Sequence, residues 1–479
     1  MTRREMLQAA GAAVLAAGAG SAARAAERSL SGQLAQAIVA LRGTTPPPEV
    51  IERTIWTVID NLGAMIFAGR TREVQPYLDL ATSRTGAPAA RIVGTGRTAP
   101  VEAAAGANAF LIHANEVDDG DLRSQLRASA VIMSSAMAIA EAFDVSGPAF
   151  LKACALGYTV QGRLAAPLGP TQGRGWMASG VWGPPAAAAM AADMLGLDAA
   201  KITSAIGLAG VASGGPFQYF YDQTEEKRLI VARAARAAVE SALLARAGEV
   251  GASQILEGPA GLYRLIGGPS APIPTAEALT ADLARLEGPL FIRPKYFAAS
   301  HSIIPTLDGM AEDTPGLKAD QIESFLVRGD AGWARVLAAK VDRFEAPATR
   351  IGAMMNFSYV LALVLVRGRA MPADFDGPPD PAAIALAGKG RFAVEPERRG
   401  LRVEFRLKDG RLLTAEARYP GPDEQAPPEE ARRLAKFRAL TADRLAPANQ
   451  DRVMRHCRTL PEAGSMRAWA GELQSLLSG

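Results

Sequence analysis

The sequence predicts a mainly α protein, in which an all-helical domain is interrupted by an inserted α+β lid domain. Three observations predict it. Alanine-rich apolar runs recur at helical spacing from residue 29 to residue 268, and alanine carries no helix penalty and lets helices approach closely. A Pro/Gly segment at 267–274 then precedes strand-like stretches. The chain of 479 residues is also too long for one compact core.

Helical periodicity dominates the first part of the chain. Residues 47–68 carry apolar side chains at helical spacing, and the three consecutive prolines at 46–48 suit a helix start. Further segments repeat the pattern, at 99–115, 129–143, 147–167, 183–195, 198–213 and 225–248. Gly196 and Gly248 stand where helix C-caps are expected.

The second part of the chain mixes strands with helices. Residues 321–329 and 401–419 alternate in polarity, and an Asp-Gly pair at 409–410 predicts a hairpin turn in the second segment. Residues 352–368 read as a buried helix. We therefore predict four regions. They are a signal peptide at 1–25, a helical domain at 28–268, an α+β lid domain at 269–428, and C-terminal helices at 429–479 that return to the helical domain.

Residues 1–25 have the features of a Tat-type signal peptide. Arg3 and Arg4 form a twin arginine, a weakly hydrophobic Ala/Gly run follows, and Ala23-Arg24-Ala25 offers a cleavage site. The apolar run is too short and too rich in Ala and Gly for a transmembrane span. The prediction is a periplasmic protein without a membrane partner after cleavage, beginning near Ala26.

Charge and cysteine content exclude several classes of protein. The first 25 residues hold three arginines and one glutamate, so the formal charge of +3 falls to about +1 without them. No basic stripe indicates a nucleic-acid partner. The two cysteines, Cys154 and Cys457, form no CxxC pair, and Cys154 reads as a buried free thiol, although pairing of the two stays open. Three histidines are too sparse for a His-based metal cluster, so we expect no metal and no cofactor.

The stretch HANEVDDGDLRSQLRAS (113–129) concentrates charge between two apolar helices. It carries Glu116, Asp118, Asp119 and Asp121, followed by two arginines. A calcium loop, a solvated turn and an active-site loop are three interpretations. The EF-hand pattern is not met, because its position-12 glutamate is missing.

A second charged segment follows at residues 222–228. Asp222 and Glu225 have capping-box spacing at a predicted helix start. Lys227 and Arg228 then fall in the first turn, where the helix dipole disfavours cations. A lysine placed against the dipole indicates a role beyond solubility.

The order of these segments resembles the MmgE/PrpD family. The stretches that carry the resemblance are HANEVDDGDL, RASAVIMSSAMAIAEA, GYTVQGRLA, GWMASGVWGPPAAAA, AIGLAGVASGG, EEKRLIVARAARAAVESALLARAG and ILEGPAGLYR, with weaker matches at RPKYFAASH and NFSYVLALVLVRG. The resemblance implies a helical domain with an inserted lid, a homodimer, and an active site between the two domains. It also implies dehydration, decarboxylation or epimerisation of small carboxylates without a cofactor.

Some residues of the family's motifs are kept in this sequence and others are replaced. Glu116 stands at a family aspartate, Asp118 and Asp119 match the family's paired aspartates, and Gly120 replaces a threonine. Arg127 and Met177 stand where the family has histidines.

The remaining matches are cations and one histidine. Lys227 matches the family's helix lysine, either Arg293 or Lys295 matches its lid lysine, and His301 matches the histidine that closes the lid segment. For His301 a structural hydrogen bond at a helix start is the competing interpretation. We read His113 as structural and His456 as uninvolved.

The functional prediction is an exported, cofactor-independent lyase or isomerase for a small di- or tricarboxylate. The two lost histidines matter because arginine stays protonated and methionine transfers no proton. We predict catalytic roles for Glu116, Asp118, Lys227 and His301, and substrate-binding roles for Asp119, Arg127, Met177, Arg293 and Lys295. The alternative is a non-catalytic periplasmic carboxylate-binding or scaffold protein that kept the fold and its cationic pocket.

Overall fold

The computed structural model describes residues 25–87, 89–421 and 423–478. The predicted export signal, apart from its last residue, lies outside these residues. No helix in the described part of the chain is long and apolar enough to cross a membrane.

The first region is a body of closely packed helices, as predicted. Its helices are α1 (Leu30–Ala40), α2 (Pro48–Ala68), α3 (Gln75–Thr82), α4 (Val101–His113), α5 (Ala128–Ala142), α6 (Gly147–Ala165), α7 (Ala178–Met194), α8 (Ala199–Gly210), α9 (Gln218–Asp222), α10 (Lys227–Ala247), α11 (Leu262–Gly267) and α12 (Ala276–Thr280). Helix α10 packs against α4, α7 and α8, and every residue of α5 is buried. Small side chains allow this approach, because at Gly180 in α7 an added Cβ would lie 2.5 Å from Cγ2 of Ile230 in α10. The mainly α prediction is confirmed.

Two details of the helical body differ from the sequence prediction. A short antiparallel hairpin, β1 (Ala89–Ile92) with β2 (Arg97–Pro100), precedes α4. The predicted capping box is wrong, because Asp222 ends α9 and Gln223 adopts a left-handed conformation with φ +55°. Helix α10 therefore begins at Lys227, within the stretch where the sequence placed its first turn.

The second region contains a four-stranded sheet in the order β4-β3-β5-β6. Its strands are β3 (Ile322–Gly329), β4 (Gly390–Val394), β5 (Arg402–Leu407) and β6 (Leu412–Glu416). The predicted hairpin is confirmed, with β5 and β6 antiparallel and Gly410 at φ +88° in their turn. Strand β4, which pairs parallel with β3, was not predicted.

Helices surround this sheet. They are α13 (Ile304–Asp313), α14 (Ala331–Trp333), a π-helical turn (Ala334–Ala338), α15 (Ala339–Asp342), α16 (Arg350–Met355), α17 (Phe357–Arg367) and α18 (Pro381–Ala387). The single buried helix predicted at 352–368 is two helices. Asn356 separates them, because its side chain accepts a hydrogen bond from the Tyr359 backbone N–H and caps α17.

Three C-terminal helices pack on the helical body: α19 (Glu430–Thr441), α20 (Pro447–Arg458) and α21 (Met466–Ser478). Helices α19 and α20 contact α2, and α21 contacts α5. The predicted boundaries between domains remain a prediction. Cys154 in α6 and Cys457 in α20 are buried free thiols, as expected for Cys154.

Candidate active site

The acidic stretch forms a buried loop between α4 and α5, at residues 114–127. Glu116 and Asp118 are 0% exposed and Asp119 is 1% exposed, so the solvated-turn interpretation is wrong. Buried carboxylates need partners, because an isolated charge in a protein interior is strongly destabilising. The partners come from α10, from the segment before α13, and from α4.

Glu116 lies between two lysines. Its Oε1 contacts Nζ of Lys227, the first residue of α10, and its Oε2 lies 3.2 Å from Nζ of Lys295. Burial alone would raise the pKa of Glu116, but the two ammonium groups outweigh burial and hold this pKa far below its usual range. Glu116 is therefore ionised. Its backbone adopts a left-handed conformation at φ +54°, which favours glycine.

Asp118 joins the same cluster and adds a histidine to it. Its Oδ1 lies 3.1 Å from Nζ of Lys295, and its Oδ2 lies 2.8 Å from Nδ1 of His113. Burial opposes ionisation of Asp118, but His113 and Lys295 hold its pKa well below the usual range. Nε2 of His113 lies 3.8 Å from Oε1 of Glu116, and burial lowers the pKa of His113. We call Glu116, Asp118, His113, Lys227 and Lys295 the ionic cluster.

The side-chain hydrogen bonds of Asp119 go to residues outside the ionic cluster. Its carboxylate accepts hydrogen bonds from Asn61 Nδ2 at 2.7 Å and from Ser129 Oγ at 2.6 Å. Burial raises the pKa of Asp119 to about 6, with Asp60 and Asp118 adding to the rise and the Ser129 and Asn61 hydrogen bonds opposing it. These contacts tie α2 to the start of α5. The predicted substrate-binding role of Asp119 has no counterpart in the two cavities described next.

A cavity of about 510 Å³ opens on one side of the ionic cluster. Lys227, Arg127 and Gln125 are among the residues that line it. We call it the Lys227 cavity. Its other lining residues come from 170–173, from 217–221, from the segment before α13, and from the lid region: Pro170, Gln172, Gly173, Phe217, Tyr219, Phe220, Tyr221, Ser300, Ser302, Asp330, Gly332, Trp333, Arg335, Val336 and Met355.

A second cavity, of about 690 Å³, opens on the other side of the cluster, and we call it the Lys295 cavity. Lys295, His301 and Arg293 line it. His301 does not line the Lys227 cavity; its Nδ1 contacts the guanidinium of Arg127. The Arg127–His301 pair therefore joins residues that line different cavities.

The structure decides between the two candidates for the lid lysine. Lys295 contacts both carboxylates of the cluster, whereas the guanidinium of Arg293 lies 2.7 Å from Oε1 of Glu424. The backbone of Arg293 pairs with Gly120 through two hydrogen bonds of 2.9 and 3.0 Å. Lys295 therefore belongs to the ionic cluster, whereas Arg293 anchors the loop through its backbone.

Met177 corrects another sequence prediction. It is the N-cap residue of α7 and is 2% exposed. It is not among the described residues that line the two cavities. Two residues further on, the Ser179 hydroxyl accepts a hydrogen bond of 2.6 Å from the backbone N–H of Arg127. The segment 177–179 therefore contacts the backbone of Arg127 through Ser179.

Family models match nearly the whole described chain. The MmgE/PrpD N-terminal domain matches residues 32–273, and the MmgE/PrpD C-terminal domain matches residues 297–460. The chain belongs to the MmgE/PrpD family. It is 26% identical over 375 residues to the cis-aconitate decarboxylase-like protein oryM of Aspergillus oryzae, which covers 73% of this chain and 76% of that protein. It is 24% identical over 428 residues to the cis-aconitate decarboxylase of Aspergillus terreus, with 82% and 85% covered.

Two residues of this MmgE/PrpD chain enter the site without having been predicted there. His113, read as structural, belongs to the ionic cluster; its spacing of three and five residues from Glu116 and Asp118 was the available indication. Tyr219 lines the Lys227 cavity with its ring centroid 5.6 Å from Lys227 Nζ, and burial raises its pKa. Its place in the aromatic run just before α10 could have suggested it.

The arrangement permits proton transfer and anion binding at one end of the Lys227 cavity. Burial lowers the pKa of Lys227 to about 8, with Arg127 and Lys295 adding to the fall and Glu116 opposing it. An amine with such a pKa exchanges protons near neutral pH. Within the described residues, no group of three or more His, Cys, Asp or Glu side chains is arranged to hold a metal ion.

Proposed function

We propose that this protein is a cofactor-independent lyase that acts on a di- or tricarboxylate in the Lys227 cavity. One observation carries the proposal: Lys227 borders the cavity and also contacts the buried, ionised Glu116. Membership in the MmgE/PrpD family and relatives named as cis-aconitate decarboxylases support the same chemistry.

Arg127 and Lys227 supply the carboxylate-binding end of the cavity. A guanidinium can hold a carboxylate through two parallel hydrogen bonds, and an ammonium adds a compact charge beside it. Arg127 is held at its backbone by Ser179 and at its side chain by His301. A rigid cation is suited to fixing the orientation of a ligand.

Decarboxylation is the lyase reaction that this end of the cavity supports best. The bond between the leaving carboxylate and its carbon breaks, and the electron pair stays on that carbon. The Lys227 ammonium then donates a proton to the carbon, and solvent returns a proton to the amine. One proton donor suffices for this sequence, whereas loss of water needs a base for the α-proton and an acid for the hydroxyl.

Turnover assays test the proposal directly. The full chain would be incubated with citrate, 2-methylcitrate and cis-aconitate, with CO₂ release, alkene absorbance and product mass followed. We expect CO₂ release from at least one acid. Lys227→Met should lower the rate about 10²- to 10⁴-fold, the usual effect of removing a catalytic acid or base. Lys389→Met, at an exposed lysine, is the matched control and should retain the rate.

A carboxylate-binding protein without activity is the second candidate. It is favoured by Arg127 and Met177, which stand where family histidines are expected and transfer no protons at neutral pH. Thermal stabilisation by one of the acids without any product would support this candidate and exclude the lyase.

We further propose that the protein is exported and forms a homodimer. Export rests on the twin arginine, Arg3 and Arg4, and on the Ala/Gly run that follows. Replacing both arginines by lysine should keep the protein in the cytoplasmic fraction of a bacterial host. Light scattering coupled to gel filtration would give the mass in solution, and a monomer mass would contradict the dimer.

A further inference from the structure

The chain segments that bring Glu116 and Lys227 together each contain a residue in a strained backbone conformation. Glu116 itself has φ +54°, and Gln223, four residues before Lys227, has φ +55°. This left-handed conformation is unfavourable for residues other than glycine and persists where the surrounding structure holds it. The contacts made by these two segments therefore determine how the Glu116 carboxylate meets the Lys227 ammonium.

Arg350, the first residue of α16, contacts the acidic loop directly before Glu116. Its Nη1 donates a hydrogen bond of 2.7 Å to Oδ1 of Asn115. Asn115 is 1% exposed, and within the described residues its Nδ2 has no hydrogen-bond partner. The Arg350 guanidinium therefore fixes the buried side chain that precedes Glu116.

The same guanidinium is fixed within the lid region. Nε of Arg350 donates a hydrogen bond of 2.9 Å to Oδ1 of Asp376, and Nη2 donates one of 2.9 Å to the carbonyl oxygen of Pro372. The Arg350 side chain is 16% exposed. Because a guanidinium is planar and rigid, three fixed acceptors set its orientation, and it transmits the position of α16 to Asn115.

Thr349, the N-cap residue of α16, contacts the second segment. Its hydroxyl accepts a hydrogen bond of 3.0 Å from the Gly352 backbone N–H and donates one of 3.2 Å to the carbonyl oxygen of Gln223. Gln223 is the C-cap residue of α9, and α10 begins at Lys227. Neighbouring residues at the start of α16 thus contact the segments that carry Glu116 and Lys227.

The charges around Arg350 give a second indication. Arg228, the second residue of α10, is 4% exposed. Burial lowers the pKa of Arg228 to about 10, and Arg350 adds to the fall. Neighbouring cations repel each other, so favourable charge interaction with α10 does not explain the place of Arg350. Its hydrogen bond to Asn115 does.

We infer that Arg350 is a positioning residue for the proposed reaction and sets the contact between Glu116 and Lys227. Thr349 assists it from the neighbouring position. This inference rests on the proposed function, since it takes Lys227 as the proton donor. Neither Thr349 nor Arg350 is among the described residues that line the Lys227 cavity, so both act through Glu116 and Lys227 rather than on the ligand.

Arg350→Met tests the inference through kcat and its pH dependence. Proton donation needs the protonated Lys227 amine, so kcat/KM falls at alkaline pH along a limb set by the pKa of Lys227. We expect kcat to fall about 10- to 100-fold, as when a catalytic group is misplaced, while KM changes less. The limb should also move to lower pH, because the Glu116 carboxylate raises the pKa of Lys227 and would lie farther from it. Rates of the full chain with the acid that releases CO₂ would be measured across the limb.

Two further variants control for a loss of stability. Arg350→Lys keeps one donor for Asn115 and should recover part of kcat. Arg367→Met removes an arginine whose ion pairs, with Asp374 and Asp380, stay within the lid region, and it should retain both kcat and the limb. An unchanged kcat or an unmoved limb in Arg350→Met would overturn the inference and leave the proposed function standing. Absence of turnover by the unsubstituted chain would overturn both.

Thr349→Val tests the same element without removing a charge, and it decides the question if Arg350→Met does not fold. It loses the hydroxyl that holds Gln223, so kcat should fall and the limb should move as in Arg350→Met. Thr349→Ser keeps the hydroxyl and is the matched control. Adding Gln223→Gly to Thr349→Val should recover kcat, because glycine adopts φ +55° without a side-chain penalty. An unchanged kcat and limb in Thr349→Val would overturn the inference, and no recovery in the double variant would contradict the role of Gln223.

Discussion

At the scale of single residues, Gly120 shows how the loop and the lid segment fit together. A Cβ at this position would lie 2.1 Å from Cε1 of His301 and 2.3 Å from the carbonyl oxygen of Leu126. The family's threonine therefore cannot occupy position 120 while His301 keeps its place. The absence of a side chain at Gly120 therefore leaves room for His301, which contacts Arg127.

Gly120→Ala should destabilise the protein by about 1–3 kcal/mol or more, the usual effect of overpacking. Urea denaturation followed by circular dichroism would measure it. Gly464→Ala is the control, because a Cβ at that position meets no atom within 4 Å. Its free energy of unfolding should change by no more than about 0.5 kcal/mol. Equal stability of the two variants would contradict the prediction and show that both His301 and the Leu126 carbonyl move away freely.

The second prediction at this scale concerns the pH dependence of turnover. Burial lowers the pKa of Lys227 to about 8, and donation to carbon requires the protonated amine. The value of kcat/KM should therefore fall as the pH rises through about 8. A pH–rate profile would measure this limb. In Lys227→Arg turnover should fall as in Lys227→Met, because a guanidinium donates no proton at neutral pH, and a variant that kept both the rate and the limb would assign the limb to another group.

The family resemblance predicted part of the candidate site and missed the rest. The segments that hold Glu116, Arg127, Lys227 and Lys295 were expected to converge, and the structure brings them together. Sequence could not show that Asp119 points toward Ser129, or that the Met177 side chain avoids both cavities. Neighbouring loop residues share a spacing pattern, and only the packed backbone decides where each side chain points.

At the scale of elements, α19 holds the acidic loop from outside the cluster. Nζ of Lys436 lies 2.7 Å from Oδ2 of Asp60 in α2 and 2.6 Å from the carbonyl oxygen of Val117 in the loop. Burial lowers the pKa of Lys436, with Asp60 opposing the fall. One buried ammonium thus joins α19, α2 and the loop that carries Glu116.

Lys436→Met should cost about 3–5 kcal/mol of stability, since it leaves the buried Asp60 carboxylate without its cation. Adding Asp60→Leu should recover much of the loss, because a neutral pair of similar volume needs no counter-charge. Both effects would be read from urea denaturation. If the single and double variants were equally unstable, the ion pair would not be the origin of the loss.

Elements with strong periodicity were predictable, and short ones were not. The long helices and the β5–β6 hairpin carry clear patterns of apolar spacing and turn residues. Strand β1 has only four residues, and burial along β4 shows no clean alternation. The division between α16 and α17 depends on a single side-chain cap at Asn356, which apolar periodicity does not show.

At the scale of the whole molecule, the reactivity of the Cys154 and Cys457 thiols reports on unfolding. Burial raises the pKa of Cys457 to about 12 and that of Cys154 further. A thiol reagent such as Ellman's reagent should therefore modify neither cysteine in the native protein at pH 8, and both in guanidinium chloride. The absorbance of the released reagent, under native and under denaturing conditions, would give the number of reactive thiols. Absence of reactive thiols after unfolding without reductant would reveal a disulfide instead.

The charge balance of the site has a consequence for ligand binding. Arg127, Lys227 and Lys295 carry three positive charges, Glu116 and Asp118 carry two negative ones, and burial lowers the pKa of His113 toward its neutral form. A bound dicarboxylate would turn this excess of one cation into an excess of one anion. We therefore expect the complex to take up a proton, because the added negative charge raises the pKa of the basic groups beside it. Binding then weakens as the solution becomes more alkaline, independently of any effect on turnover.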